Sequence, residues 1–189
     1  MMRIITGRAR GTHLLTLEGD ATRPTSERAK EAVFSMLQFE LRDRRVLDLF
    51  AGSGQMSLEA ISRGAESAVL VDASPRAVEI IRKNIEKTHF ENECTVLCAD
   101  YADAVRRTSS KFDLIILDPP YAKRLVAPAL RALLAADRLA DGAIIVCESA
   151  EENVFESDAT LAEQFAVRKV AKYGAAYVTI LDYKEKNDG

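Results

Sequence analysis

From Arg45 onward, short apolar runs alternate with amphipathic stretches, and that alternation leaves very few folds open. RVLDLF is followed by SGQMSLEAISRG, SAVLVD by SPRAVEIIRKNIEK, and CTVLCAD by a short helical stretch. FDLIILD is followed by LVAPALRALLAAD, and GAIIVCE by another helix-like segment. Parallel strands need a long crossover between them, usually a helix. Five such units in series predict a doubly wound, largely parallel α/β sheet. The end of the chain breaks the rule: FAVRKVAKYG and AYVTILDYK meet around Gly174 with no helix between them, which predicts a closing antiparallel pair.

The segment before the alternation reads differently. MRIITGRARGTHLLTLEG is expected to form a β-hairpin, near residues 3–5 and 13–16, around a Gly7 to Gly11 turn. Pro24, Thr25 and Ser26 open a helix whose apolar face is expected to hold Ala29, Ala32, Val33, Met36 and Leu37. The 189 residues fit one domain with a small appendage. The expected division is a hairpin extension over residues 1–22 and one α/β domain over residues 23–189.

Charge adds a partner hint. The net charge is -3, which does not announce a nucleic-acid binder. Residues 1–30, however, carry six Arg or Lys against three acids, while the remainder carries 20 against 26. A basic N-terminal section on an acidic body fits either a docking face or a solvated hairpin. The three cysteines, Cys94, Cys98 and Cys147, sit in apolar runs and read as small core residues of a reducing compartment. Cys94 and Cys98 would be ~13 Å apart along one strand, too far to share a metal, so no metal site is expected. No apolar run approaches the roughly 18 residues of a membrane span, and the N-terminus has no signal-peptide core. A cytoplasmic protein is expected.

The chemistry gathers at the ends of the strands. In VLDLFAGSGQMSLEA, Gly52 and Gly54 permit a sharp turn and close approach of a ligand. The loop lacks the third glycine of a dinucleotide fingerprint and the Lys-Ser/Thr of a P-loop. Taken alone, G-x-G also fits a plain βα turn. The acids around it narrow the reading. Asp48, Asp72, Asp100 and Asp118 stand at or near the ends of the first four strands, the edge where open α/β sheets bind ligands. Strand-end acids also cap helices, most readily Asp100. Asp48, beside the loop, would repel a pyrophosphate and attract a cation. Asp72, 18 residues after Gly54, is placed to accept hydrogen bonds from ribose hydroxyls. A ligand with a ribose, a positive charge and no phosphate is S-adenosylmethionine.

FDLIILDPPYAKR then makes sense as the reacting end. An exocyclic amine on a nucleobase is a poor nucleophile because its lone pair is delocalised into the ring. The Asp118 carboxylate and the Pro119 carbonyl can accept hydrogen bonds from that amine, Pro119 and Pro120 fix the backbone that aims them, and Tyr121 can stack on the base. Asp118 can also take the proton. Such a displacement needs no metal; positioning supplies most of its acceleration.

These residues resemble a known family. D-P-P-Y after a fourth strand resembles the catalytic motif of amino-directed, S-adenosylmethionine-dependent methyltransferases, and DLFAGSG resembles their cofactor loop. With MRIITGRARGTHL, TRPTSERAKEAVFSML and the SRGA of Ser62 to Ala65, nearly the whole chain resembles the bacterial methyltransferases of guanine N2 in 16S rRNA (RsmD-type), less so after about Glu148. The resemblance implies a seven-stranded, Rossmann-like class I methyltransferase sheet with a small N-terminal hairpin, acting as a monomer on 16S rRNA or a small-subunit ribosomal particle. It implies cofactor contacts from Asp48, Phe50, Gly52, Gly54, Asp72, Asp100 and Tyr101, and catalysis by Asp118, Pro119, Pro120 and Tyr121. RNA phosphates would meet Arg8, Arg10, Arg23 and Arg28, contacts that position without reading sequence. Gln55 stands where the family pattern has a small apolar residue. Two other readings stay open: an amino-methyltransferase acting on DNA adenine or a protein glutamine, and a cofactor-binding module without catalysis.

Overall fold

A computed structural model describes residues 2–17 and 24–184, with backbone only at residues 24–26. Helix α1 (Pro24–Met36) opens on a proline, which the first helical position tolerates. There follow β1 (Arg45–Asp48), α2 (Gln55–Ser62), β2 (Ser67–Asp72), α3 (Pro75–Thr88), β3 (Cys94–Cys98), α4 (Tyr101–Arg107) and β4 (Phe112–Leu117). The chain ends in α5 (Val126–Ala135), β5 (Leu139–Ser149), α6 (Ala159–Gln164), β6 (Phe165–Tyr173) and β7 (Ala176–Tyr183). All seven strands form one sheet in the order β3-β2-β1-β4-β5-β7-β6. The first five run parallel and the last two close the sheet antiparallel, as the alternation requires.

Alternation along each strand divides the core into two layers. Val46, Leu70, Leu114, Ile116, Ile144 and Val146 pack with α1, α2 and the N-terminal segment on one face. Leu47, Val71, Ile115, Leu117, Ile145 and Cys147 pack with α4, α5 and α6 on the other. Burying one such side chain stabilises the fold by about 1.5–3 kcal/mol before conformational entropy is counted. Two residues beyond Val46, Leu70, Ile116 and Val146 stand Asp48, Asp72, Asp118 and Glu148. The first core face therefore turns acidic as it reaches the C-terminal edge of the sheet.

Residues 2–17 share this core. Met2, Ile4, Ala9 and Leu14 are buried in the first layer. The expected hairpin is present but short: around an antiparallel bridge between Arg3 and His13, backbone hydrogen bonds join Ile4 to Thr12 and Gly11 and Leu14 to Met2, and beyond them side chains of the helices take the backbone groups. Glu59 in α2 accepts from the N–H groups of Ile5 and Thr6 at 2.7 and 3.0 Å. Ser62 donates to the Thr6 carbonyl and accepts from the Ala9 N–H. The turn requires Gly7: its φ is +90°, and a Cβ there would lie 1.8 Å from the Ser62 carbonyl oxygen. The expected boundary between residues 22 and 23 lies outside the described residues.

Three further expectations need correction. On α1, Met36 is exposed; Lys30 and Phe34 join Ala29, Val33 and Leu37 in the buried stripe. Lys30 tolerates burial because its Nζ donates to the Arg3 carbonyl at 2.9 Å, although burial still lowers its pKa. Of the cysteines only Cys147 is buried, while Cys94 is intermediate and Cys98 exposed. β5 begins at Leu139, before the expected GAIIVCE run, because Leu139 pairs with Phe112 ahead of a register shift in β4. Among the described residues no helix is long and apolar enough to cross a membrane.

Candidate active site

The acidic edge opens into a cleft of about 940 Å³, a size suited to a small molecule and a base together. Its floor is the β1–α2 loop. Asp48 ends β1 and is buried, with a carboxylate oxygen accepting from Ser57 Oγ at 2.9 Å and the other from the Phe50 N–H at 3.4 Å. Burial raises its pKa from 3.8 to about 7; the Ser57 and Phe50 hydrogen bonds oppose the rise and the Asp72 charge adds to it. Asp72 ends β2, and its two oxygens accept from the Gly52 and Ser74 N–H groups at 2.9 Å each. It thereby anchors the glycine loop to the second strand. Gly54 sits at φ +80°, where a Cβ would meet Leu70 at 3.0 Å.

The side of the cleft beyond β2 is aromatic. Phe50 and Tyr101 face each other with ring centroids 5.7 Å apart. Asp100 caps α4, its carboxylate accepting from the Ala102 and Asp103 N–H groups at 2.9 Å. Six of the seven residues expected to contact a cofactor line the cleft, and Gly54 faces the core beneath it.

The opposite side is built by β4 and β5. Asp118, Pro119, Pro120 and Tyr121 follow β4 directly and line the cleft together. Pro119 is buried and Asp118 and Pro120 are exposed. A single 3₁₀ turn, Tyr121–Lys123, carries the tyrosine back over the opening. Its hydroxyl donates to a Glu148 carboxylate oxygen. Since β4 lies between β1 and β5, the D-P-P-Y segment stands next to the Asp48 end of the sheet.

The described arginines expected to meet RNA are divided between the N-terminal turn and α1. Arg8 sits at the turn that packs on the end of α2, its guanidinium 2.7 Å from Glu93 and 4.9 Å from the centroid of Phe90. Glu93 precedes β3, so this is the sheet edge remote from the cleft, about 12 Å away along the eight residues of α2. Arg10 is exposed in the same turn. Arg28 is exposed on α1 next to Ala29, which lines the cleft. Arg23 lies outside the described residues.

Several residues of the site escaped the sequence reading. Asn84 of α3 is buried; its amide accepts from the Leu15 N–H at 2.7 Å and donates to the Leu15 and Ser53 carbonyls at 2.9 Å. It ties the N-terminal segment to the glycine loop. The signal was an Asn on the same helical stripe as Ala77, Ile81 and Thr88. Glu148 was visible too, as a fifth strand-end carboxylate. Among the described residues no group of three His, Cys, Asp or Glu side chains is arranged to hold a metal. Burial lifts the Cys94 thiol to about 12 and the Cys147 thiol further, which disfavours the thiolate in both.

The family model described as conserved hypothetical protein 95 matches residues 2–182. YlbH of Bacillus subtilis (strain 168), provisionally named an rRNA methyltransferase, is 32% identical over 188 residues, 98% of this chain and 100% of that protein. Ribosomal RNA small subunit methyltransferase D of Escherichia coli (strain K12) is 32% identical over 152 residues, 80% of this chain and 76% of that protein. Among solved structures, yhhF of Escherichia coli, provisionally described as a methyltransferase, matches with a TM-score of 0.85 and 26% identity over 98% of this chain and 99% of that one.

Proposed function

The chain belongs to the family of conserved hypothetical protein 95, to which the small-subunit rRNA methyltransferases D are related, and from that premise we propose that it methylates the N2 amine of a guanine in 16S rRNA. One observation carries the reading beyond family membership: the D-P-P-Y segment and the Asp48–Gly52–Asp72 floor share one cleft. The proposed cofactor is S-adenosylmethionine, and the donor set fits it. Asp48 and Asp72 make the floor acidic, which suits a sulfonium and an amino group and opposes a phosphate. S-adenosylmethionine, when bound, supplies an electrophilic methyl group.

The residues of the chain do the rest. Asp72 accepts from ribose hydroxyls, Phe50 and Tyr101 flank the adenine, and Asp48 faces positive charge. Asp118 and the Pro119 carbonyl hold the target amine so that its lone pair points at the methyl carbon, and Tyr121 stacks on the base. Asp118 or solvent accepts the proton released. Arg28, beside the opening, contacts phosphate; Arg8, Arg10 and Arg23 extend that contact to a substrate that wraps the N-terminal segment. A cytoplasmic monomer without a metal suffices for this chemistry.

The test offers labelled S-adenosylmethionine to unmodified small-subunit particles, naked 16S rRNA, DNA and protein extract, and identifies the labelled product. N2-methylguanosine from rRNA is expected. Label in N6-methyladenine or protein keeps the chemistry and overturns the substrate; no label anywhere, with cofactor bound, points to a binding module.

Two predictions concern the cofactor. Asp72→Ala is expected to weaken its binding at least tenfold, by removing both the ribose acceptor and the anchor of the Gly52 N–H; unchanged affinity in calorimetry rules the assignment out. The second is a pH effect. Asp48 is largely protonated below about pH 7 and charged above it. A cationic ligand favours the charged form, so its affinity is expected to fall from pH 8 to pH 6, with proton release on binding at the lower pH. S-adenosylhomocysteine, lacking the sulfonium charge, is expected to show a smaller dependence in the same titrations. Equal pH profiles for the two ligands contradict the placement of Asp48.

A further inference from the structure

Among the described residues, Glu148 is the one carboxylate of the cleft wall to which neither the cofactor nor the methyl-transfer step assigns work. It is the penultimate residue of β5 and is held on both sides by the sheet. Leu117 pairs with Cys147, which puts Asp118 and Glu148 side by side at the ends of parallel neighbours, about 4.8 Å apart in backbone spacing. On its other side Glu148 pairs with Val178 of β7. Both residues continue the face of Ile116 and Val146 and line the same cleft. A group fixed on a strand is positioned more closely than one on a loop.

Arg124, which borders the same corner, is engaged by other carboxylates, Glu151 at 2.8 Å and Glu156 at 3.5 Å. Glu148 accepts from the Tyr121 hydroxyl. An ionised carboxylate has about four lone-pair sites and no donor, so that bond occupies a fraction of its capacity. It also holds the ring proposed to stack on the base. What remains is acceptor capacity on a side chain that lines the cleft beside Asp118.

We propose that Glu148 reads the target base as guanine by accepting its N1–H. This rests on the guanine-N2 reading above. Guanine presents N1–H beside its N2 amine, an edge made only of donors at these two positions. Asp118 and the Pro119 carbonyl take the amine hydrogens, and Glu148 takes N1–H. Adenine fails at the same place: the ring nitrogen next to its amine carries a lone pair and would face the carboxylate directly. A site that accepts a hydrogen bond disfavours an analogue without the donor, because two lone pairs then face each other on a half-buried carboxylate. Glu148 is therefore the residue that makes a general amine-methylating motif specific for guanine.

2-Aminopurine probes this contact, since it keeps the exocyclic amine and has a lone pair at N1; it also lacks O6, a difference common to all variants that cancels when their preferences are compared. Its ribonucleoside 5′-monophosphate is fluorescent and is quenched on stacking. With S-adenosylhomocysteine present, GMP is titrated against it on the wild-type protein, Glu148→Gln, Glu148→Ala and Tyr121→Phe. Wild type is expected to prefer GMP by at least about tenfold, a single good edge contact being worth about 10- to 100-fold. Glu148→Gln can donate to N1 and is expected to shift the preference toward 2-aminopurine by about 100-fold. Glu148→Ala is expected to lose GMP affinity without that gain. Tyr121→Phe removes the hydroxyl and keeps the carboxylate, so it is expected to weaken both ligands together. A ratio in Glu148→Gln within threefold of wild type, with unchanged melting temperature, overturns the proposal, as does a Tyr121→Phe ratio shifted as far as that of Glu148→Gln. The parallel product analysis on small-subunit particles keeps the two levels apart. N6-methyladenosine there sinks the guanine reading itself; N2-methylguanosine with an unmoved ratio sinks only the role of Glu148.

Discussion

Asp118→Ala is expected to lower the rate of methyl transfer by a factor on the order of 10²–10⁴ while leaving S-adenosylhomocysteine affinity within about twofold. The size follows from the two tasks proposed for the carboxylate, accepting a hydrogen bond from the target amine and taking up its proton. The selectivity follows from place. Asp118 comes after β4 and is exposed in the cleft, whereas the cofactor floor is built by β1, β2 and the loop between β1 and α2. Asp118→Asn separates the two tasks, because an amide keeps an acceptor oxygen and cannot take a proton. Its rate is expected to fall between those of Ala and wild type. Single-turnover measurements on the labelled substrate give all three rates. Turnover by the Ala variant near the wild-type rate would falsify the mechanism.

The second large effect is on stability. Glu59→Ala is expected to cost about 3–5 kcal/mol, the range for breaking a buried charged network by removing one member. Glu59 has no solvent exposure and accepts from two backbone N–H groups of the N-terminal segment and from Arg63 Nε at 2.7 Å. Its loss strands all three donors, one of them on a guanidinium whose side chain is only 12% exposed. For a chain of this length the melting temperature is expected to fall by roughly 10 °C. Glu59→Gln keeps one acceptor and is expected to lose less. A drop below about 1 kcal/mol for the Ala variant in urea unfolding contradicts this account of how residues 2–17 are held.

The sheet was legible because its cause is local and repeated. Each strand carries its own apolar run and each crossover its own helical stripe, so RVLDLF, SAVLVD, CTVLCAD and FDLIILD became β1 to β4 in the expected places. The antiparallel close at Gly174 was legible for the same reason, since a short link forbids a crossover. The site was partly legible: strand-end acids collect wherever parallel strands share an edge, and D-P-P-Y has few structural uses. The N-terminal segment was legible as a hairpin but not in what anchors it, because those partners lie far along the chain. The N–H groups of Ile5 and Leu15 are taken by Glu59 and Asn84, and no local pattern in the segment names them. Lys30 misled for a related reason. A lysine reads as a surface residue until a carbonyl from another segment comes within 2.9 Å. Glu148 was passed over because β5 carries a Glu near its end where the first four strands carry an Asp at or near theirs.

Met2 and Val178 both line the cleft, although nearly the whole described chain separates them. That has a consequence for how the protein comes into being. A chain emerging from the ribosome can pair β1 with β2 early, but it reaches β7 only near the end of synthesis, and contacts this remote in sequence form late because a long loop must close first. The N-terminal segment meanwhile has to wait for Glu59 and Asn84 to be made. Until then its apolar residues Met2, Ile4 and Leu14 have no core to enter, which makes the half-made chain the stage most exposed to misassociation. The wall of the cleft that β7 contributes is therefore among the last parts of the molecule to be completed.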